Sequence, residues 1–114
     1  MKKLEWIGST LDDLKNMPKP VQQEIGFSLH RVQEGKTPSN AKPLKGIASG
    51  VMEIVSDNNK NTYRAVYAVK LGDAVYVLHA FQKKSKTGIK TPKQDIELIN
   101  SRLALAKAHA ALRK

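Results

Sequence analysis

The spacing of apolar residues along this chain changes twice, and the changes divide it into three parts. Val21, Ile25, Leu29 and Val32 fall within a narrow arc at ~100° per residue, the period of an amphipathic helix. Pro20 suits the first turn of that helix and Gly35 its end. The preceding "STLDDLKNM" predicts a shorter helix. Ser9 or Thr10 caps it, Asp12 and Asp13 sit where carboxylates meet the positive end of the helix dipole, and Pro18 interrupts it. Together the two read as a helical hairpin with one apolar face. Ahead of them "KKLEWI", residues 2–7, reads as a short strand.

Residues 36–50 form a connection rich in Gly, Pro, Ser and Asn. From Val51 onward β-branched and aromatic residues dominate. "VMEIVS", "TYRAVYAVK" and "AVYVLHAFQ" are strand runs, separated by the hairpin signals "DNNKN" and "LGD". The helical period then returns. Thr91 and Gln94 have the capping-box spacing, with Pro92 at the first helical position, and the helix runs almost to the C-terminus. Ile96, Ile99, Leu103, Ala106 and Ala110 make one apolar stripe on it, whereas Leu98, Leu105 and Leu112 recur at seven-residue spacing on roughly the opposite side. A helix packed on its own sheet needs one stripe. The second is either a contact for another chain or a solvent-exposed leucine set. The pattern predicts an α+β fold over residues 1–114, a single domain with a small, mainly antiparallel sheet, an N-terminal helical hairpin and a C-terminal helix.

A type II′ turn at Gly72 and Asp73 sets Leu71 opposite Ala74 and fixes the register of the last hairpin. Arg64 then faces Phe81, and His79 and Lys83 are its diagonal neighbours on the same face, ~7–8 Å away and within reach of long side chains. The other face carries Tyr63, Tyr67 and Val69 against Gln82, Leu78 and Tyr76, and that apolar, aromatic face is assigned to the helices. Arg64, His79, Phe81 and Lys83 accordingly line one concavity. Lys84 and the "SKTGIK" segment, with Lys86 and Lys90, lie at its rim.

Charge gives that concavity a chemistry. Twenty Lys+Arg against ten Asp+Glu leave a formal net charge of +10, which predicts attraction to polyanions. No acidic residue interrupts Lys83, Lys84, Lys86, Lys90 and Lys93 before Asp95. Guanidinium, imidazole, ammonium and an aromatic ring suit single-stranded RNA, because cations meet phosphates while bases stack. The alternative for Arg64 is an ion pair with Glu53 on the neighbouring strand. The alternative for His79 is a hydrogen-bonded structural role. Other chemistries are excluded more firmly. Without cysteine there is no disulfide, thiolate nucleophile or Cys-ligated zinc, and His30, His79 and His109 lack metal-ligand spacing. No glycine-rich phosphate loop, secretory leader or membrane-length apolar run is present, so the sequence predicts a cytoplasmic protein without a membrane partner, metal or cofactor.

The order helix pair, "LKGIASGVMEI", "YRAVYAV" and "AVYVLHAFQKKSKTGIKTPKQDIELINSRL" resembles the RelE/HigB superfamily of bacterial toxins, in particular its phage-associated HigB-like branch, over roughly residues 20 to 105. The resemblance implies a RelE/ParE-like fold and the toxin of a type II toxin–antitoxin system. Such a toxin is an mRNA endoribonuclease acting on the ribosome, and its partner is a helix-turn-helix antitoxin, held in a toxin–antitoxin hetero-oligomer. Cleavage in the family is metal-free: the ribose 2′-OH attacks the adjacent phosphorus, leaving a 2′,3′-cyclic phosphate and a 5′-OH. Carried over by position, "YR" makes Arg64 the strand arginine at the scissile phosphate. "HAFQKK" makes Lys83 and Lys84 the basic end of the last strand. His79 becomes the candidate proton-transfer group, kept neutral by neighbouring cations, with a lysine depressed by the same cations as the alternative. Phe81 stacks on a base, and Lys86 and Lys90 hold phosphates. Where relatives carry several basic residues before the "YR" strand, this chain has only Lys60. The outer stripe read from the helix period, Leu98, Leu105 and Leu112, is the candidate contact for that antitoxin. The same superfamily contains ParE-like gyrase inhibitors, and a non-catalytic nucleic-acid-binding module would share the charge pattern.

Overall fold

The structure, a computed structural model, describes residues 1–83 and 91–113. In chain order these form β1 (Lys3–Trp6), α1 (Thr10–Lys15), α2 (Lys19–Gln33), β2 (Ala41–Pro43), β3 (Val51–Asn58), β4 (Asn61–Leu71), β5 (Ala74–Lys83) and α3 (Lys93–Leu112). The helical hairpin, the three long strands and the last helix appear where the periodicity predicts them.

The helix ends differ in detail. Ser9 stands at the start of α1, but its hydroxyl donates to the Asp13 carboxylate at 2.8 Å instead of accepting from the backbone. Thr10 turns inward and donates to the carbonyl of Ile7 at 2.9 Å. The capping box predicted at Thr91 does not form: α3 begins at Lys93 with Pro92 ahead of it and no side-chain cap. The connection over 36–50 also contains more order than expected. Ala41–Pro43 pairs antiparallel with β3, and its proline sits on an edge strand, where a missing N–H is tolerated.

The sheet has the order β1-β5-β4-β3-β2. β1 runs parallel to β5, and the remaining pairs are antiparallel. The β3–β4 turn holds Asn59 at φ 49° and Lys60 at φ 67°, with Asn58 opposite Asn61, the signature of a type I′ hairpin.

The β4–β5 hairpin departs from the simple register in an informative way. Leu71 faces Ala74 and Arg64 faces Phe81, as the turn predicts, but between them the strands slip. An extra residue enters β4 between Ala68 and Leu71, where Lys70 has φ 71°, and a compensating one enters β5 at Leu78, between His79 and Val77. Tyr67 therefore pairs with Val77 and Ala68 with Tyr76. The expectation that Tyr76 and Leu78 share a face with Tyr63 and Tyr67 is corrected, because each bulge reverses the alternation of side chains beyond it.

Both faces of the sheet are covered. α1 and α2 bury Leu14, Val21, Ile25, Leu29 and Val32 against Ile54, Tyr63, Tyr67, Val75 and Val77. On the other face Ile99, Leu103 and Ala106 of α3 pack on Val66, Ala68, Tyr76 and Leu78. Arg102 of α3 fixes the β5 bulge: Nη1 donates to the Leu78 carbonyl at 3.0 Å and Nη2 to Ser9 Oγ at 3.2 Å. Gly8, at φ +62°, makes room for it, since a Cβ there would lie 3.0 Å from the guanidinium.

Lys60 is an L-residue held in a left-handed turn, so Lys60→Gly is expected to raise stability by about 1 kcal/mol. The midpoint of urea unfolding should rise with its slope unchanged. A lower midpoint would show that the lysine side chain contributes more than its backbone strain costs.

Candidate nucleic-acid interface

The bulge at Leu78 turns His79, Phe81 and Lys83 to the α3 side of the sheet, the side that also carries Arg64. The four residues thus share a face, as the register predicts. Their surroundings are less open and less uniformly cationic than the sequence implies. Arg64 is only 5% exposed, and its Nη1 lies 2.7 Å from Glu53 Oε1. Glu53 is buried too, and Lys42 of β2 approaches the same oxygen at 3.7 Å. Of the two roles open to Arg64, the ion pair with Glu53 is the one formed here. Removing a guanidinium from water costs several kcal/mol unless a counter-charge accompanies it, and the diagonal position on β3 supplies one.

His79 is likewise compensated. Its Nε2 lies 2.7 Å from Asp95 Oδ1 in the first turn of α3, and its ring stacks on Phe81 with centroids 4.5 Å apart. The expected field of lysines around His79 is therefore met by a carboxylate. In either protonation state, a carboxylate at Nε2 favours a hydrogen on that nitrogen. Glu53 Oε2, Arg64 Nε and His79 Nδ1 are all buried and have no hydrogen-bond partner among the described residues.

Lys83 closes the cluster at the end of β5, opposite Thr62 and partly exposed. Desolvation and the Arg64 guanidinium pull its ammonium below the ordinary lysine range, Lys42 adding to the effect and Glu53 opposing it. Beside the cluster a cavity of about 570 Å³ is walled by Pro43, Leu44 and Ile96 and reaches Lys42, Lys45 and Glu53. Lys60 stands exposed at the tip of the β3–β4 hairpin, separate from the cluster. Lys84, Lys86 and Lys90 lie outside the described residues. Leu98, Leu105 and Leu112 lie on the outer side of α3, 36%, 60% and 85% exposed. Among the described residues no group of three or more His, Cys, Asp or Glu side chains is placed to hold a metal ion, and no helix is long and apolar enough to cross a membrane.

Sequence reasoning missed two partners of this site. Lys42 lies on a strand too short and too proline-rich to announce itself, and Asp95 reads as an ordinary first-turn carboxylate. The second had a signal: α3 packs back over β5, so its first turn comes near the C-terminal half of that strand, where His79 lies.

Comparison with known proteins places this geometry. No curated protein sequence matches the chain significantly. Among solved structures the chain is similar to the isolated E. coli RelE toxin, with a TM-score of 0.58 and 16% identity over 89% of this chain and 98% of that one. It is also similar to a chain of the intact E. coli RelBE toxin-antitoxin complex, with a TM-score of 0.56 and 17% identity over 75% of this chain and 100% of that one. At such identities the likeness concerns the fold, which is RelE/ParE-like: a mainly antiparallel sheet with an N-terminal helical pair and a C-terminal helix. The family model for Phage derived protein Gp49-like (DUF891) matches residues 12–104, most of the chain, and the protein belongs to that family.

Proposed function

We propose that this chain is the toxin of a type II toxin–antitoxin pair, of the phage-associated HigB-like branch, and that it is an endoribonuclease cutting mRNA on the ribosome. The RelE/ParE-like fold and the +10 charge support the reading. The observation that carries it is Lys83, an ammonium held below the ordinary lysine range on the face shared by Arg64, His79 and Phe81.

The proposed chemistry is metal-free transesterification. The ribose 2′-oxygen forms a bond to the adjacent phosphorus while the bond from phosphorus to the 5′-oxygen breaks. One proton leaves the 2′-OH for a base and another reaches the departing 5′-oxygen, giving a 2′,3′-cyclic phosphate and a 5′-OH. Lys83 serves as the base in its neutral form, or as the cation facing the phosphorane in its charged form. Arg64 acts from behind, its charge shared with Glu53, and shapes the field at the phosphate. His79, oriented by Asp95, is the second proton-transfer group: in its protonated form it delivers the proton to the departing 5′-oxygen and is left neutral, and Phe81 offers an aromatic face to a base. Lys84, Lys86, Lys90 and Lys60 would neutralise the backbone of the RNA. The partner in this reading is a helix-turn-helix antitoxin, which covers the outer leucines of α3, and the toxin acts in the cytoplasm.

Lys83→Arg separates charge from proton transfer, because a guanidinium stays protonated. The wild-type protein is expected to generate 2′,3′-cyclic phosphate ends on a reporter mRNA in a reconstituted translation reaction, and Lys83→Arg to lower the rate by about 10²-fold while still binding RNA. Neutral lysine increases with pH, so the wild-type rate should climb as pH rises below the ordinary lysine pKa, and this limb should be missing in Lys83→Arg. Full activity in the variant would confine Lys83 to charge neutralisation. Absence of cyclic ends from folded wild-type protein would reject the nuclease and turn attention to gyrase inhibition.

The outer leucines of α3 give a separate expectation. Leu105→Glu with Leu112→Glu should weaken antitoxin capture at least tenfold without lowering the melting temperature, since both side chains are exposed. Unchanged capture would leave the stripe as solvent-facing surface.

A further inference from the structure

We propose that a pocket at the other end of β4, between the end of α2 and the 43–50 segment, binds a small amphipathic anion: an apolar body carrying one carboxylate, sulfonate or phosphate group. The site is independent of the RNA-cleaving reading: Tyr67 lies on the α2 face of the sheet, opposite to the face of Arg64, and Lys70 at the mouth is about six strand residues, or ~20 Å, along β4 from Arg64. Its volume of about 590 Å³ lies within the range of small-ligand sites.

Val32, Leu44, Ile47 and Met52 supply apolar walls. Tyr67 lies at the floor, only 2% exposed, and none of the side-chain hydrogen bonds among the described residues involves its hydroxyl. Burial pushes that phenol up to about 12, so it remains a protonated donor at any physiological pH. A tyrosine in the lining of a cavity brings a hydroxyl donor to an acceptor that enters with the ligand.

The rim sets the sign of that acceptor. Lys2, Lys36 and Lys70 line the pocket, and no acidic residue does; Glu34, outside the lining, approaches Lys36 at 3.8 Å. Lys2 is pinned in place, its carbonyl accepting from Gln33 Nε2 at 2.8 Å. Lys70 is held more forcefully. It occupies the β4 bulge at φ 71°, a conformation that disfavours any side chain, and its Nζ donates to Ser49 Oγ at 3.4 Å. Gly50, at φ +87°, opens the way, because a Cβ there would come within 3.2 Å of the Lys70 chain. A glycine would relieve this backbone, yet a lysine stands there. Strain retained at a cavity mouth is the pattern of a binding site.

The test is a fluorescence titration of the full chain with 8-anilinonaphthalene-1-sulfonate, an apolar body bearing a sulfonate. One saturable site is expected. Tyr67→Phe should weaken it by about tenfold, the loss of one hydrogen bond to a charged acceptor. Lys70→Gly should weaken it about fivefold, in a salt-dependent way, while raising the melting temperature by relieving the left-handed backbone. Lys19→Ala removes the same charge at the far end of α2 and should leave affinity unchanged. Inorganic phosphate, lacking the apolar body, should compete poorly. Equal affinity in wild type, Tyr67→Phe and Lys70→Gly would overturn the proposal. So would an equal loss in Lys19→Ala, which would reduce the binding to general cationic attraction, or phosphate competition as strong as that of the probe.

Discussion

The β4–β5 hairpin carries an extra residue on each strand, and both faces of the sheet depend on these two bulges cancelling. The insertion beside Lys70 shifts the register by one, and the insertion at Leu78 restores it, so Arg64 and Phe81 are opposed even though Tyr67 and Ala68 have slipped. One bulge alone would turn either the aromatic core under α2 or the cluster under α3 to the wrong side, since side chains alternate at every residue. Arg102 ties the second bulge to α3 through the carbonyl of Leu78, and to the β1–α1 turn through Ser9. The last helix is thereby coupled to the element that orients His79.

That arrangement also governs how the chain manages its charge. A net +10 does not mean that the cations in the sheet face stand alone. The buried guanidinium of Arg64 has a carboxylate drawn from a neighbouring strand, Glu53 of β3, and the His79 ring has one from α3, Asp95. Lys83 sits at the boundary, near enough to Arg64 to feel its charge and exposed enough to meet a ligand. A graded cluster of this kind keeps a guanidinium fixed within the fold and leaves the titratable amine at the surface.

The amphipathic helices, the three long strands and both hairpin turns were legible because each is a local pattern: a 3.6-residue period over Val21, Ile25, Leu29 and Val32, an alternating run of β-branched residues, an Asn or Gly where φ is positive. The pairing of Arg64 with Phe81 follows from counting out from the turn only because the two bulges in between cancel. The bulges were not, because no residue type announces an inserted position in a strand, and Lys70 is a poor candidate for a left-handed backbone. β2 was hidden by Pro43 and by its length, and Thr91 was misread because its capping spacing competes with Pro92, after which the helix starts. In the candidate site the residue types were readable and their partners were only half so: Glu53 was a foreseeable alternative for Arg64, whereas Asp95 and Lys42 reach the cluster through tertiary packing.

Membership of the Gp49-like family and a RelE/ParE-like fold give the cluster a context, and the chemistry of its residues gives it a reading as an RNA-cleaving toxin. The most direct measurement is the mapping of 5′ ends on a reporter mRNA after exposure to the purified, antitoxin-free chain, in paired reactions with and without ribosomes. New ends that appear only with ribosomes are the expected result. Ends that appear equally without ribosomes would contradict the proposed place of action, and an intact message in both reactions would contradict the nuclease itself.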